Sequence, residues 1–101
     1  MKYNVIVRPE AEKDLKEAFA WYEDKSVGLG YEFLLHVDAG INFIKRTPEL
    51  HPIEYKGTRK HLIKRFPYKI IYFVEKEKII LLAVLHGKRS HDLIKQRIDV
   101  S

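Results

Sequence analysis

Three β-rich segments follow one another in the second half of the chain with almost no sequence between them, and this spacing constrains the fold more than any other feature. They are residues 57–66, Tyr68–Glu75 and Lys78–His86, separated by Pro67 and by the polar pair Lys76-Glu77. Because a parallel crossover needs a dozen or more residues, such short connections predict antiparallel hairpins. Residues 79–85 are apolar without alternation, which is typical of a strand buried on both faces at the centre of a sheet.

The first half of the chain has the pattern of one strand and two helices. Residues 2–8 are rich in β-branched residues and predict a strand. Pro9 suits the first position of a helix, which ends near Ser26 before the break at Gly28 and Gly30. A second helix is predicted over residues 31–46, and Pro48 ends it. The short connection makes the two helices an antiparallel hairpin.

Together these elements predict one α+β domain over residues 1–101, in the order β-α-α-β-β-β with a short helix at the C-terminal end. The helical hairpin is expected to pack on one face of a small, mainly antiparallel four-stranded sheet, in which the N-terminal strand also pairs. Helices are expected to cover that face alone, so that the other face lies open. In the polar tail 87–101, Ser90 is a candidate cap for one or two turns of helix.

The composition excludes several classes of protein. The chain has no cysteine, which excludes disulfides, thiolate metal sites and cysteine nucleophiles. Its longest apolar run, residues 79–85, is far shorter than the roughly 20 residues of a membrane span. The N-terminal residues also lack the apolar region of a signal peptide. We therefore expect a cytoplasmic protein with no membrane partner.

The two halves of the chain differ in charge. Residues 1–50 contain 7 basic and 9 acidic side chains, a net charge of −2, whereas residues 51–101 contain 12 and 5, a net charge of +7. This asymmetry favours a polyanion or an acidic protein as the partner of the C-terminal half. The alternative is a set of solvated lysines without a binding role.

Cationic side chains are concentrated on the predicted sheet. Alternation along residues 57–66 divides the side chains between two faces, with Arg59, His61, Ile63 and Arg65 on one and Lys60, Leu62, Lys64 and Phe66 on the other. Further basic or titratable residues follow in the later strands and the tail, at Lys69, His86, Lys88 and Arg89. Such a face can hold a phosphate backbone, although cations on an exposed edge strand also prevent aggregation.

His86 is the candidate general acid or base, because it ends the most apolar strand and an imidazole titrates near neutral pH. It can equally hydrogen-bond backbone at the strand end. The remaining histidines show no metal-ligand spacing, and the chain has no phosphate-binding loop or nucleophile elbow. We therefore assign no metal and no cofactor.

The order of these elements resembles the RelE/ParE superfamily of bacterial toxins. The most specific parts are HLIKRFPYKIIYFV, residues 61–74, and AVLHGKR, residues 83–89. The resemblance covers nearly the whole chain and includes Pro9 and Pro48. It implies the toxin of a type II toxin–antitoxin, or plasmid-stabilisation, module.

Two activities occur in this superfamily. RelE-like members cut mRNA on the ribosome with basic residues of the sheet and a C-terminal tyrosine. By motif, Lys69 and Arg89 match two of their arginines, whereas His61 and Arg65 stand in for a lysine pair. The position that matches the C-terminal tyrosine is occupied by Lys95 or a neighbouring residue, because no tyrosine follows Tyr72 in this chain. If the chain is such a ribonuclease, the resemblance implies a catalytic set of His86, Arg65, Lys69 and Arg89.

ParE-like members keep the fold and poison DNA gyrase by binding it. The FPYKIIY and VLHGKR segments are closer to ParE, so we interpret the chain as a ParE-like toxin that inhibits bacterial growth. A non-toxic nucleic-acid-binding module is the third possibility. The residues expected to bind the target or the antitoxin are Arg59, His61, Arg65, Lys88, Arg89, Lys95 and Arg97.

The partners follow from the same resemblance. A cognate antitoxin with an acidic, disordered tail would cover the toxin. The target would be DNA gyrase, or the ribosome and its mRNA in the alternative. Operator DNA would be bound only through the toxin–antitoxin complex.

Overall fold

The computed structural model describes residues 2–88 and 91–100 and contains, within those ranges, four strands and three α-helices. In chain order they are β1 (Asn4–Val7), α1 (Pro9–Lys25), α2 (Leu29–Arg46), β2 (Arg59–Leu62), β3 (Tyr68–Glu75), β4 (Lys78–His86) and α3 (His91–Val100). A 3₁₀ turn at Tyr55–Gly57 precedes β2. This order confirms the predicted α+β class. The helices in the described part of the chain are too short or too polar to cross a membrane.

The sheet has the strand order β1-β4-β3-β2. β4 pairs in parallel with β1 and antiparallel with β3, and β3 pairs antiparallel with β2. The prediction of a mainly antiparallel sheet with the N-terminal strand in it is therefore confirmed. Every residue from 79 to 85 is buried, because β4 has a strand on each side and a hydrophobic cluster on each face.

A tight turn joins the two helices into the predicted hairpin. Gly28 adopts a left-handed φ of 89°, which glycine adopts without steric cost. The Glu23 carboxylate accepts hydrogen bonds from the backbone N–H groups of Gly28 and Gly30, at 2.8 and 3.0 Å. Because these N–H groups have partners, α2 begins at Leu29, two residues before the predicted start.

The larger hydrophobic core lies between the hairpin and one face of the sheet. It contains inward-facing residues of both helices and of the sheet, among them Ala11, Ala18, Phe33, Val37, Ile70, Tyr72, Leu81 and Val84. Aromatic rings fill the end near the β2–β3 connection, where Phe66 packs edge-on against Tyr22 and Phe33. The hairpin thus covers one face of the sheet, as predicted.

The expectation that the other face lies open is wrong, because α3 covers it. Ile94 of α3 belongs to a second cluster with Ile71, Ile80, Leu82, Ala83 and Leu85, and Ile98 packs against it. A β-bulge in β4 places two consecutive residues of this strand on the face that α3 covers. Ile71 pairs with Ala83 and Tyr72 pairs with Leu81, which leaves Leu82 as the extra residue. Leu82 and Ala83 therefore lie in the same cluster despite being neighbours in the chain.

β2 is much shorter than the predicted segment 57–66, since only Arg59–Leu62 pairs with β3. After it, the Ile63 N–H donates to the Tyr68 carbonyl at 2.9 Å, and Arg65 adopts a left-handed φ of 71°. This turn ends the alternation. Phe66 consequently packs in the larger core with Ile63, and not on the opposite face as predicted. β1 is also shorter than the predicted strand 2–8.

Candidate functional site

A basic pocket lies between α3, the 3₁₀ turn and strands β2 and β3. We call it the α3 pocket. Its volume is about 290 Å³, and the basic residues that line it are Arg59, Lys60, Lys69 and Lys95. Three of these were predicted as site residues, and Lys60 was not. Strand alternation explains the position of Lys60, which projects from β2 on the α3 side of the sheet, opposite His61. The Arg59 guanidinium turns to the His61 side, where it donates to the His51 carbonyl oxygen.

Lys69 is the most enclosed cation of the α3 pocket. Its side chain is only 8% exposed, and it lies on β3 between the register partners Leu62 of β2 and Leu85 of β4. Lys69 forms no ion pair with any residue that the structure describes. Lys60, in contrast, pairs with Glu54 at 3.8 Å. Because its stem is buried while its ammonium has no counterion among the described residues, Lys69 is the group in this pocket best suited to receive an anion.

The far end of α3 is held over the pocket by contacts with the 3₁₀ turn. The Tyr55 hydroxyl donates to Asp99 at 3.0 Å, and Lys56 Nζ lies 2.8 Å from the same carboxylate. The hydrogen bond from Lys56, followed by that from Tyr55, lowers the pKa of Asp99 below its usual value. The Lys95 ammonium lies 5.3 Å from the centre of the Tyr55 ring, a cation–π contact.

Arg97, a second predicted binding residue of α3, lies at the edge of the sheet. Its guanidinium turns inward and binds Asp14 of α1 at 2.9 Å. The hydrogen bond to Asp14 raises the pKa of Arg97 further above its usual value. Arg97 therefore positions α3, whereas Lys95 is the exposed cation of this helix among the predicted site residues.

His86 lies on the opposite side of the sheet from Lys69. Val84 belongs to the core under the hairpin and Leu85 to the core under α3, so the next residue faces the hairpin. The His86 ring accordingly contacts Tyr68, with ring centres 5.3 Å apart. His86 Nδ1 accepts a hydrogen bond from the Lys88 N–H at 3.1 Å.

His86 also lines a groove of about 520 Å³ with aromatic walls at Trp21, Tyr22 and Tyr68. This is a separate cavity from the α3 pocket. A histidine at this position has access to solvent and to an apolar surface, but it does not face the cationic side chains under α3.

Arg65 is bound on the hairpin side of the molecule. Its guanidinium forms an ion pair with Glu32 of α2 at 3.0 Å and lies 5.7 Å from the Phe66 ring centre. The sheet thus separates Lys69 from His86 and Arg65, the other described members of the predicted catalytic set. Arg89 and the predicted cap Ser90 lie outside the described residues.

His61, a residue predicted to bind the target or the antitoxin, contacts His51, with His51 Nε2 2.9 Å from His61 Nδ1. Sequence reasoning had not singled out this pair, nor Tyr55, Asp14 or Lys60. The contacts of Tyr55 with Asp99 and of Asp14 with Arg97 join residues 44 and 83 positions apart and leave no local signal. Lys60, in contrast, was visible on the second face of the alternating strand. Over residues 2–88 and 91–100, no three His, Cys, Asp or Glu side chains are grouped to hold a metal ion.

Comparisons with solved structures identify the same fold in bacterial toxins. A chain of the chromosomal ParDE toxin–antitoxin system from P. aeruginosa has a TM-score of 0.72 at 16% identity, covering 84% of this chain and 96% of that one. The free-state structure of an E. coli RelE mutant has a TM-score of 0.63 at 12% identity, covering 99% and 98%.

A third solved structure, the M. tuberculosis toxin–antitoxin complex RelBE2, has a TM-score of 0.58 at 20% identity and covers 85% of this chain and 92% of that one. None of the curated proteins matches the chain. The model of the family described as the ParE toxin of the type II toxin–antitoxin system parDE matches residues 5–91. With that match spanning most of the chain, the protein belongs to the ParE toxin family of type II toxin–antitoxin systems.

Proposed function

We propose that this toxin acts by binding and poisoning DNA gyrase, without a catalytic reaction of its own, and that a cognate antitoxin neutralises it. The observation that carries this proposal is the placement of His86 and Lys69 on opposite faces of the sheet. A general acid or base must come within hydrogen-bond reach of the bond on which the cations act. Their placement keeps His86 and Lys69 from meeting this requirement together, which supports a binding mode of action.

The binding surface that we propose for the target is the outer side of α3. Asp92, Lys95 and Gln96 are exposed, while Ile94, Arg97 and Ile98 face the sheet or its edge. Exposed Lys88, which follows β4, adds positive charge, and half-buried Lys60 of β2 is paired with Glu54. An acidic antitoxin tail would complement the exposed lysines Lys88 and Lys95, since complementary charge steers association and suppresses wrong partners.

A supercoiling assay with purified gyrase tests the proposal. We expect the wild-type chain to inhibit supercoiling and to trap gyrase-cleaved DNA. Lys95→Glu should weaken this inhibition about tenfold, because it reverses a charge at the exposed face of α3. Lys13→Glu is the matched control, since Lys13 is an exposed lysine on the outer side of α1. Full supercoiling activity at a large excess of folded wild-type toxin would contradict the proposal.

RelE-like mRNA cleavage is the second candidate, and one observation favours it. Lys69 lies in the α3 pocket beside Lys60 and Lys95, where cations can stabilise charge developing on a phosphate. In a reconstituted translation reaction, this candidate predicts cleavage of ribosome-bound mRNA that Lys69→Met abolishes. It further predicts that His86→Ala has little effect, because His86 does not face the pocket. Intact mRNA with wild-type toxin would exclude it.

A further inference from the structure

Two histidine rings join the segment after α2 to the edge of the sheet. Residues 47–54 leave α2 and run beside β2, where His51 Nε2 lies 2.9 Å from His61 Nδ1. Arg59, two positions before His61, donates from its guanidinium to the backbone carbonyl oxygens of Glu49 and His51. These contacts hold the segment against β2, and the ring-to-ring contact is the one that can titrate near neutral pH.

α2 fixes the His61 ring from the other side. Phe43 stacks on this ring, with centres 5.0 Å apart and planes inclined by 25°. Gly40 is so close that a Cβ added there would lie 3.1 Å from His61 Cδ2. The His61 ring therefore has no room to turn away within the packed interface. Separation of the two rings requires His51 and its segment to move.

The hydrogen bond between the rings tolerates one added proton but not two. In the neutral pair, one of the facing nitrogens carries hydrogen and the other offers a lone pair. A proton added to the outer nitrogen of the donor ring preserves this arrangement. Protonation of both rings places hydrogen on both facing nitrogens, which are 2.9 Å apart. The hydrogen bond is then lost and the two cations repel each other.

The surroundings of the pair do not compensate for a second positive charge. Burial, then the neighbouring His51 and then Lys64, lower the pKa of His61. No ion pair joins either ring to an acidic side chain of the described residues, and Glu54 of the same segment is engaged with Lys60. The groups that face the pair from the other elements are apolar or cationic: Phe43 and Gly40 of α2, Ile70 of β3, Arg59 of β2 and Lys64 of the following loop.

The segment that the rings hold continues into the turn that clamps α3. Tyr55 and Lys56 follow it directly, and both bind Asp99. Movement of residues 47–54 away from β2 therefore displaces the two side chains that hold the far end of α3 over the α3 pocket.

We propose that the His51–His61 pair is a proton-controlled latch, closed while at least one ring is neutral and open when both are protonated. Opening releases residues 47–54 from β2, loosens the clamp on Asp99 and uncovers the α3 pocket. The latch is a property of the fold and holds whichever target the toxin has.

Amide hydrogen exchange of the full chain at about pH 7.5 and about pH 5 tests the latch. We expect the protection factors of residues 47–57 and of α3 to fall about tenfold or more at the lower pH. The protection factors of β3 and β4 should remain unchanged. His51→Gln keeps a side chain that can hydrogen-bond but cannot titrate, so its protection factors should stay constant. His36→Gln, which changes a histidine outside the pair, should behave as the wild type.

Unchanged protection of residues 47–57 in the wild type, or an equal fall in His51→Gln, would overturn the proposal. Should His51→Gln not fold, the imidazole NMR titration of the wild type decides instead. The latch requires His51 and His61 to titrate in two coupled steps. Independent single-step titration of both rings would overturn it as well.

Discussion

The Arg97 guanidinium of α3 binds both carboxylate oxygens of Asp14 on α1, at distances of 2.9 and 3.2 Å. The same carboxylate accepts a hydrogen bond from the Val84 N–H at 3.0 Å, and the same guanidinium donates to the Leu82 carbonyl at 3.2 Å. β1 pairs with β4 only as far as Leu81. Beyond that point, Asp14 and Arg97 supply the hydrogen-bond partners of the Val84 N–H and the Leu82 carbonyl, which a neighbouring strand would otherwise supply. Two helices on opposite faces of the sheet are thereby joined across its edge.

Removal of Asp14 should destabilise the fold strongly. Asp14→Ala leaves the partly buried Arg97 guanidinium and the Val84 N–H without their acceptor. We expect the free energy of unfolding to fall by about 3–4 kcal/mol, measured by urea denaturation. Lys13→Ala, an exposed change on the same helix, should stay within about 0.5 kcal/mol of the wild type.

A double variant with two apolar residues distinguishes the energetic contribution of the charges of Asp14 and Arg97 from that of their packing. Replacing both partners, as in Asp14→Leu with Arg97→Met, removes the uncompensated charge and should recover much of the lost stability. A double variant no more stable than Asp14→Ala would show that the hydrogen bond to Val84 dominates.

Mild acid should destabilise the protein before its carboxylates titrate. The pKa of His61 lies below its ordinary value of 6.5, so the unfolded chain binds a proton there while the folded chain does not. Stability is thus complete above about pH 6.5 and declines as pH falls toward the lower pKa of the folded state. Urea denaturation at about pH 7.5 and about pH 5.5 measures the slope, and His61→Gln should flatten it. Equal slopes in the two proteins would contradict this assignment.

Lys69→Met should preserve or increase stability while it removes anion binding at the α3 pocket. The residue is nearly buried and its ammonium has no ion-pair partner among the described residues, and methionine fills a similar volume without a charge. We expect a gain of about 0.5–2 kcal/mol in the free energy of unfolding. Lys60→Met, which breaks the exposed pair with Glu54, is the control and should change stability by less than about 1 kcal/mol. A marked loss of stability in Lys69→Met would show that the ammonium has a structural role.

Gly30→Ala should destabilise the hairpin. A Cβ at this position would lie 2.8 Å from both the ring and the carbonyl oxygen of Phe19, and a backbone oxygen cannot move aside without shifting α1. We expect a loss of about 1–3 kcal/mol by thermal or urea denaturation. Asp38→Ala, at an exposed position of α2, should change stability by no more than about 0.5 kcal/mol.

Local patterns in the sequence were sufficient for most secondary structure. Periodicity and short connections predicted both helices, the hairpin between them and the antiparallel meander, because these depend on residues close together in the chain. The run 79–85 correctly indicated the central strand. The pattern did not reveal that β2 ends at Leu62. The left-handed turn position after it is occupied by Arg65, and not by glycine or asparagine, the residues that usually mark such a turn.

The candidate site was only partly predictable. Lys69 and Lys95 were identified from their motif positions, and the structure places both at the α3 pocket. Alternation could not reveal which face of the sheet α3 covers, although the spacing of Ile94 and Ile98 by four residues was a signal for a buried helix face. The inward turn of Arg97 depends on Asp14, 83 residues away.

The sequence by itself determined the elements, their order and the basic character of the second half, since propensity, period and charge are properties of neighbouring residues. Only the tertiary structure decided which cations face one another. A strand sends alternate side chains to opposite faces, and a one-residue bulge or an early strand end reverses that assignment. That is why His86 and Lys69 point apart, while His51 and His61, which shared no motif, are hydrogen-bonded.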